Sequence, residues 1–434
     1  MLSKENKTFP EELKMSNNIS SNKTDSFDKE YCKSLNRLYN DNIELTEIRW
    51  FLNRAYDWAY ETEGLSPDVV LLGTAVPEEI VIASGAKPYW IIGGSLGSTA
   101  WSDDLVPRDT DPVSRSVFGY IKRPENADYS DSLFIIPLVN DSLRKMAYDL
   151  KSEGYKVHLI DIPPDRNDKY AVEKYALQLK ALCRAVSDKT KARVTRSSVA
   201  SAMKTVSSAR NAMHRFLQVT SGHTDIITDS ARLFIQNSYY MSPSPEEWTY
   251  HTKCLIREIE FKLSRTKKGS SDHPSVMLLG SPVLFPNYKV PFLVSDCGLE
   301  ISEAASYVSM KSFVTYHRKA LWGSRDKLIR NIASTWLRYD SSPAYIKNDA
   351  MFDYVSWYVQ NHRIEGVIYH VLKGQIEYDF ELERFEAMLS KYGIPLFRLE
   401  TDYQYQDVEQ LRIRMEAFSE MLTQRRYSEV KKVS

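Results

Sequence analysis

Short apolar runs of strand length alternate with helix-patterned segments at both ends of this chain, and that alternation restricts its fold more than any other feature. Asp68-Val-Val-Leu-Leu72 reads as a buried strand that ends at Gly73-Thr-Ala-Val-Pro77. Pro77 suits the first position of a helix beginning with Glu78, Glu79, Ile80 and Val81. Tyr89–Ile92, Ser132–Pro137 and Lys156–Ile160 are further strand candidates, with a helix over Asp141–Ser152 between the last two. Strand, helix and strand in turn predict a parallel, doubly wound sheet.

The pattern returns after residue 270. Ser275-Val-Met-Leu-Leu-Gly280, Gly366–Val371 and Pro395–Leu399 read as strands. Helices are expected near Tyr288–Gly298 and over Ala344–Asn361, Phe380–Lys391 and Asp407–Arg426. Between the two units, Asp168–Ala185, Ser197–Val219 and Pro245–Leu263 carry helical spacing. The expectation is an α/β protein with two Rossmann-like or flavodoxin-like domains, parallel sheets and an inserted helical section. The expected divisions are a flexible tail and lead-in (1–41), a first α/β domain (42–180), a helical section (181–270) and a second α/β domain with a C-terminal helix (271–434). Residues 1 to about 30 are rich in Ser, Asn, Lys and Glu, which predicts flexibility there. From Asn42, Ile43, Ile48, Trp50, Phe51, Ala55 and Trp58 fall at helical spacing. The two α/β units suggest duplication, although no residue-level repeat is visible.

Lys plus Arg and Asp plus Glu both total 57, so no overall field favours nucleic acid or anionic lipid. No run approaches the ~18 apolar residues that span a bilayer, and the first ten residues lack the apolar core of a signal peptide. Cys32, Cys183, Cys254 and Cys297 are far apart, without a CxxC pair, which points to reduced thiols and a cytoplasmic setting. The local basic run Arg184, Lys189, Lys191, Arg193 and Arg196 reads first as a solvated helix face.

Four segments in order carry a resemblance: Val76-Pro-Glu-Glu-Ile-Val-Ile-Ala-Ser-Gly-Ala86, Leu105-Val-Pro-Arg-Asp109, Gly280-Ser-Pro-Val-Leu-Phe-Pro-Asn-Tyr-Lys289, and the closing stretch Tyr392-Gly-Ile-Pro-Leu-Phe-Arg-Leu-Glu-Thr-Asp-Tyr403 with the helix after it. Over about residues 42–425 the chain resembles the 2-hydroxyacyl-CoA dehydratase and benzoyl-CoA reductase family. The resemblance implies dehydration of 2-hydroxyacyl-CoA, or reduction of aromatic acyl-CoA, on a [4Fe–4S] cluster held by three cysteines. It also implies pairing of two similar subunits and an ATP-hydrolysing activator. The positions matching those cysteines hold Asp111, Asn140 and Gln375, and a further position that is often Cys in relatives falls near Tyr307. Amides are poor iron ligands, so this chain is expected to bind no cluster itself. A polar network with trapped water is the plain expectation at these positions; a polar ligand pocket or hard-cation site is the sharper one.

The same resemblance puts Glu78 and Glu79 near the acyl-CoA, with Glu79 the candidate acid or base. Against that, acidic residues in a helix's first turn also complement its dipole. Gly94 and Ser95, in Gly93-Gly-Ser-Leu-Gly-Ser98, are candidates for a CoA phosphate through backbone amides, and a simple turn is the alternative. Arg108 completes the candidate acyl-CoA contacts. Arg398, Arg412 and Arg414 fit either internal ion pairs or a partner surface, and His370 sits on a strand that reads as buried. A Walker A motif is absent, so this is not the ATP-using component. The expectation is a cluster-free subunit, not catalytic alone, beside a cluster-bearing relative in anaerobic acyl-CoA metabolism. The alternatives are a stand-alone acyl-CoA-binding enzyme with non-radical chemistry and a small-molecule sensor.

Overall fold

A computed structural model of the chain describes residues 22–62, 64–124, 127–265 and 273–433. The first sheet contains β1 (Val69–Leu72), β2 (Pro88–Ile91), β3 (Leu133–Pro137) and β4 (Lys156–Ile160), in the order β2-β1-β3-β4. The second contains β5 (Ser275–Gly280), β6 (Glu300–Ala305), β7 (Gly366–Leu372) and β8 (Leu396–Thr401), in the order β6-β5-β7-β8. All neighbouring strands run parallel. The fold is therefore α/β with two four-stranded parallel sheets of the same order. That shared order gives the suspected duplication a structural counterpart.

β1, β3 and β7 are buried along their whole length, which is why they read as continuous apolar runs. In each sheet the chain leaves its first strand toward one edge and then crosses to the other side. The crevice at that reversal, beyond the carboxyl ends of the strands, is where such sheets place ligands. Edge strand β6 was not expected, because Glu300 and Glu303 are residue types depleted in strands.

The middle helices Ala171–Thr190, Arg196–Thr220 and Pro245–Leu263 follow the expected pattern, though the division at 180/181 falls inside the first of them. Helix Arg325–Tyr339, not foreseen, packs against both Ala171–Thr190 and Arg196–Thr220. The expected lead-in needs correcting. Residues Asn22–Asp41 form a helix, and Phe27, Tyr31, Leu35 and Leu38 recur on one buried face of it. Tyr31 Oη donates to Ala55 O at 2.8 Å and Ser34 Oγ to Pro286 O at 2.8 Å, tying this helix to both α/β units. The remainder of the expected tail, residues 1–21, lies outside the described residues. Among the described residues no helix is long and apolar enough to cross a membrane.

Candidate functional site

Segments after β2, β3, β6 and β7 bring Asp111, Asn140, Tyr307 and Gln375 around one small cavity, together with Thr74 after β1 and with Glu377 and Tyr378. Asp111 precedes helix Pro112–Lys122, and its carboxylate accepts from Val113 N (3.1 Å) and Ser114 N (3.0 Å). It is thus an N-cap, satisfying two of the amides that a helix start leaves open. Asn140 caps helix Asp141–Ser152 in the same way, its Oδ1 accepting from Leu143 N at 2.9 Å. Gln375 Nε2 donates to Asp111 Oδ1 at 2.8 Å, joining the second sheet's loop to the first's. Gly374 makes that approach possible: its φ is +85°, and a Cβ there would sit 3.1 Å from both Asp109 O and Asp111 N.

The space left is about 20 Å³, room for roughly one water. Thr74 Oγ1, Gln375 Oε1 and Tyr378 Oη have no protein partner within it. Burial pushes the Glu377 carboxyl up to about 6, and the charges of Asp111 and Asp141 add to that. Tyr307's hydroxyl is held above its ordinary range by burial and then by Asp111. An iron–sulfur cluster does not fit these residues. The donors are oxygens and amides rather than thiolates, and the free volume is that of a solvent molecule. No group of three or more His, Cys, Asp or Glu suited to a metal occurs among the described residues.

A second, charged cluster lies where helix Glu78–Ala83 meets helix Arg196–Thr220. Arg210 donates from Nη2 to Glu78 Oε1 (3.0 Å), from Nη1 to Glu79 Oε1 (3.2 Å), and to Val314 O. Glu79, fully buried, also accepts from Tyr316 Oη (2.7 Å) and, on Oε2, from Trp336 Nε1 (3.3 Å). Both its oxygens are therefore engaged. Glu78 borders a cavity of about 30 Å³, its carboxylate also facing the Tyr239 hydroxyl. Burial raises the Glu78 carboxyl; Arg210 opposes that shift and the like charge of Glu79 reinforces it.

Lys311, on the short helix Ser309–Phe313, reaches the same cavity with no acceptor for its amine. Its Nζ lies 4.8 Å from the Trp336 ring centre, 5.8 Å from that of Trp90 and 5.9 Å from that of Tyr240. Cation–π contacts contribute about 0.5–2 kcal/mol, whereas burying an ammonium without a hydrogen bond costs several. Burial wins, pushing the amine down to about 7 against the pull of Asp340, Glu78 and Glu79 and with a push from Arg210. Neither Arg210 nor Lys311 was singled out from sequence. Arg210 had a visible signal: it lies on the stripe of Val199, Met203, Val206, Met213 and Phe216, where a charge needs a buried partner.

The other sequence candidates lie apart from both cavities. The amides around Ser95 are occupied by the carboxylate of Glu30, which accepts from Ser95 Oγ (2.7 Å), Gly97 N (3.0 Å) and Leu96 N (3.2 Å). Gly94 sits at φ +107° against the second unit, where a Cβ would lie 2.3 Å from Phe285 O. Arg108 is exposed. Arg398 pairs with Asp379 and Glu400, Arg412 with Asp296 and Glu409, and Arg414 donates to Arg398 O. His370 is buried between Ser281 O and Thr401 Oγ1, and burial holds it down at about 4, so it is neutral. In the basic run, Lys189 pairs with Asp131 and Asp68.

The family model described as 2-hydroxyglutaryl-CoA dehydratase, D-component, matches residues 74–422. YjiM of Escherichia coli (strain K12), which carries the name of a dehydratase subunit, is 20% identical over 356 residues, 80% of this chain and 90% of that protein. The (R)-phenyllactyl-CoA dehydratase beta subunit of Clostridium sporogenes is 21% identical over 358 residues, 80% of this chain and 89% of its own length.

Proposed function

The chain belongs to the 2-hydroxyglutaryl-CoA dehydratase D-component family, and from that premise we propose that it is a cluster-free subunit working beside a cluster-bearing relative on an acyl-CoA. The observation that carries this reading is the Gln375–Asp111 hydrogen bond. The three positions that the resemblance matches to cluster cysteines are two helix caps and an amide bonded to the first of them, around space for one water. Such residues hold the loops in place without thiolates, so the fold stands while the metal chemistry is left to the partner. In this reading an ATP-hydrolysing activator serves the partner, and this chain shapes the acyl-CoA pocket or the docking surface.

Anaerobic purification of the tagged chain from its native host, with iron analysis and identification of bound proteins, tests the proposal. The expected result is an iron-free chain that brings down a cysteine-bearing relative. A brown chain holding a full cluster's iron by itself overturns it.

The Glu78 carboxylate beside a cavity favours one alternative: an acyl-CoA-binding protein with acid–base chemistry of its own. A rise in melting temperature of the pure chain with acyl-CoA, and none with free CoA, would favour that reading.

A further inference from the structure

The amine of Lys311 ends in the cavity of about 30 Å³ with no hydrogen-bond acceptor, walled by Trp90, Tyr240 and Trp336. The Glu78 carboxylate borders the same space, beside the Tyr239 hydroxyl. The charged groups that face the amine are Glu78 and Glu79 on one helix, Arg210 on a second, and Asp340 after a third. An ammonium kept for structure is normally gripped by carboxylates or carbonyls. Here the carboxylates of Glu78 and Glu79 are drawn to Arg210 instead. A desolvated lysine beside another cation is the arrangement that frees a nitrogen lone pair for attack on a carbonyl.

We propose that Lys311 condenses with a small neutral aldehyde to form an imine, Glu78 serving as proton donor and acceptor. The cavity holds roughly two waters' worth of space, which fits an aldehyde of one or two carbons. The apolar walls and the surplus of carboxylates disfavour an anionic carbonyl compound. In the first step the Lys311 lone pair forms the N–C bond, the carbonyl π pair moves to oxygen, and one proton passes from nitrogen to that oxygen by way of Glu78. In the second, the C–O bond breaks as protonated Glu78 gives that oxygen another proton. Water leaves, and the second proton lost from nitrogen returns to Glu78. Amine and aldehyde thus become imine and water, with no redox change.

The test is reductive trapping on the full chain. Acetaldehyde and cyanoborohydride are added at neutral pH, the borohydride's hydride converts the imine to an N-ethyl amine, and peptides are mapped by mass spectrometry over time. Lys311 is expected to be ethylated about tenfold or more faster than the exposed Lys145 and Lys204. Lys311→Met must remove the fast-labelled peptide, and Glu78→Gln should slow labelling roughly a hundredfold. Labelling of Lys311 no faster than that of Lys145 and Lys204 overturns the proposal. That wild-type comparison decides even where a variant does not fold.

Discussion

The Asp111 cavity and the Lys311 cavity have similar free volumes, about 20 and about 30 Å³, yet they resolve burial of polar groups in different ways. The Asp111 carboxylate is held by two backbone amides and one side-chain amide, and the atoms left without a protein partner are the Thr74 and Tyr378 hydroxyls and the Gln375 amide oxygen. Around Lys311, two carboxylates share one guanidinium, and an amine is left facing the space. The first arrangement rests on two helix caps and one bond between distant loops, and it leaves open hydroxyls and an amide oxygen. The second leaves open a basic amine. An unbonded buried amine is the more costly to keep, so its persistence is the stronger pointer to chemistry.

Removing Arg210 should break this contrast most sharply. Arg210→Met leaves Glu78 and Glu79 buried with no shared cation, and a loss of about 3–5 kcal/mol in urea unfolding is expected. A loss below about 1 kcal/mol would mean that the Arg210 cluster is no more demanding than the one around Asp111.

Lys311→Met should act in the opposite direction, stabilising the chain by about 1–3 kcal/mol at neutral pH because an unbonded buried amine is replaced by an apolar side chain of similar length. Its pH dependence has a defined sign. The amine sits at about 7 in the fold against roughly 10.4 in the unfolded chain. The unfolded state therefore binds the extra proton between those values. The penalty is fully present below pH 7 and fades as pH rises toward 10. Wild type should gain on Lys311→Met by up to about 1.4 kcal/mol per pH unit across that window. Parallel stability curves for the two proteins would contradict the assigned environment.

Gln375→Leu is expected to have the smallest effect, about 1 kcal/mol, since Asp111 keeps both backbone donors and loses only one side-chain bond. Iron content on anaerobic reconstitution should stay at background. Uptake of iron by this variant would show that the cavity opens to metal once the amide bridge is gone.

Sequence alone revealed much of the scaffold, because the central strands are buried on both faces and appear as unbroken apolar runs, as in Val69–Leu72 and Gly366–Leu372. It did not reveal Glu300–Ala305, whose carboxylates hide a strand; Glu303 is half-buried near Arg232 and Tyr354, contacts that form only in the fold. The helix Asn22–Asp41 was masked by the Ser, Asn and Lys around its four large apolar residues. Asp111, Asn140 and Gln375 were found by resemblance, and the fold brings all three to one cavity. The Arg210–Glu78 pair joins residues in different helices, and the unbonded amine that marks the Lys311 cavity depends on that pairing. No local pattern carries such a contact.

The carboxylate of Glu30 has a consequence for any anion approaching the Gly93–Ser98 loop. Those amides already hold a guest that is covalently tethered and so never dilutes away. A phosphate arriving from solution is a competitor, and its apparent affinity is its intrinsic affinity scaled by the fraction of molecules in which Glu30 has withdrawn.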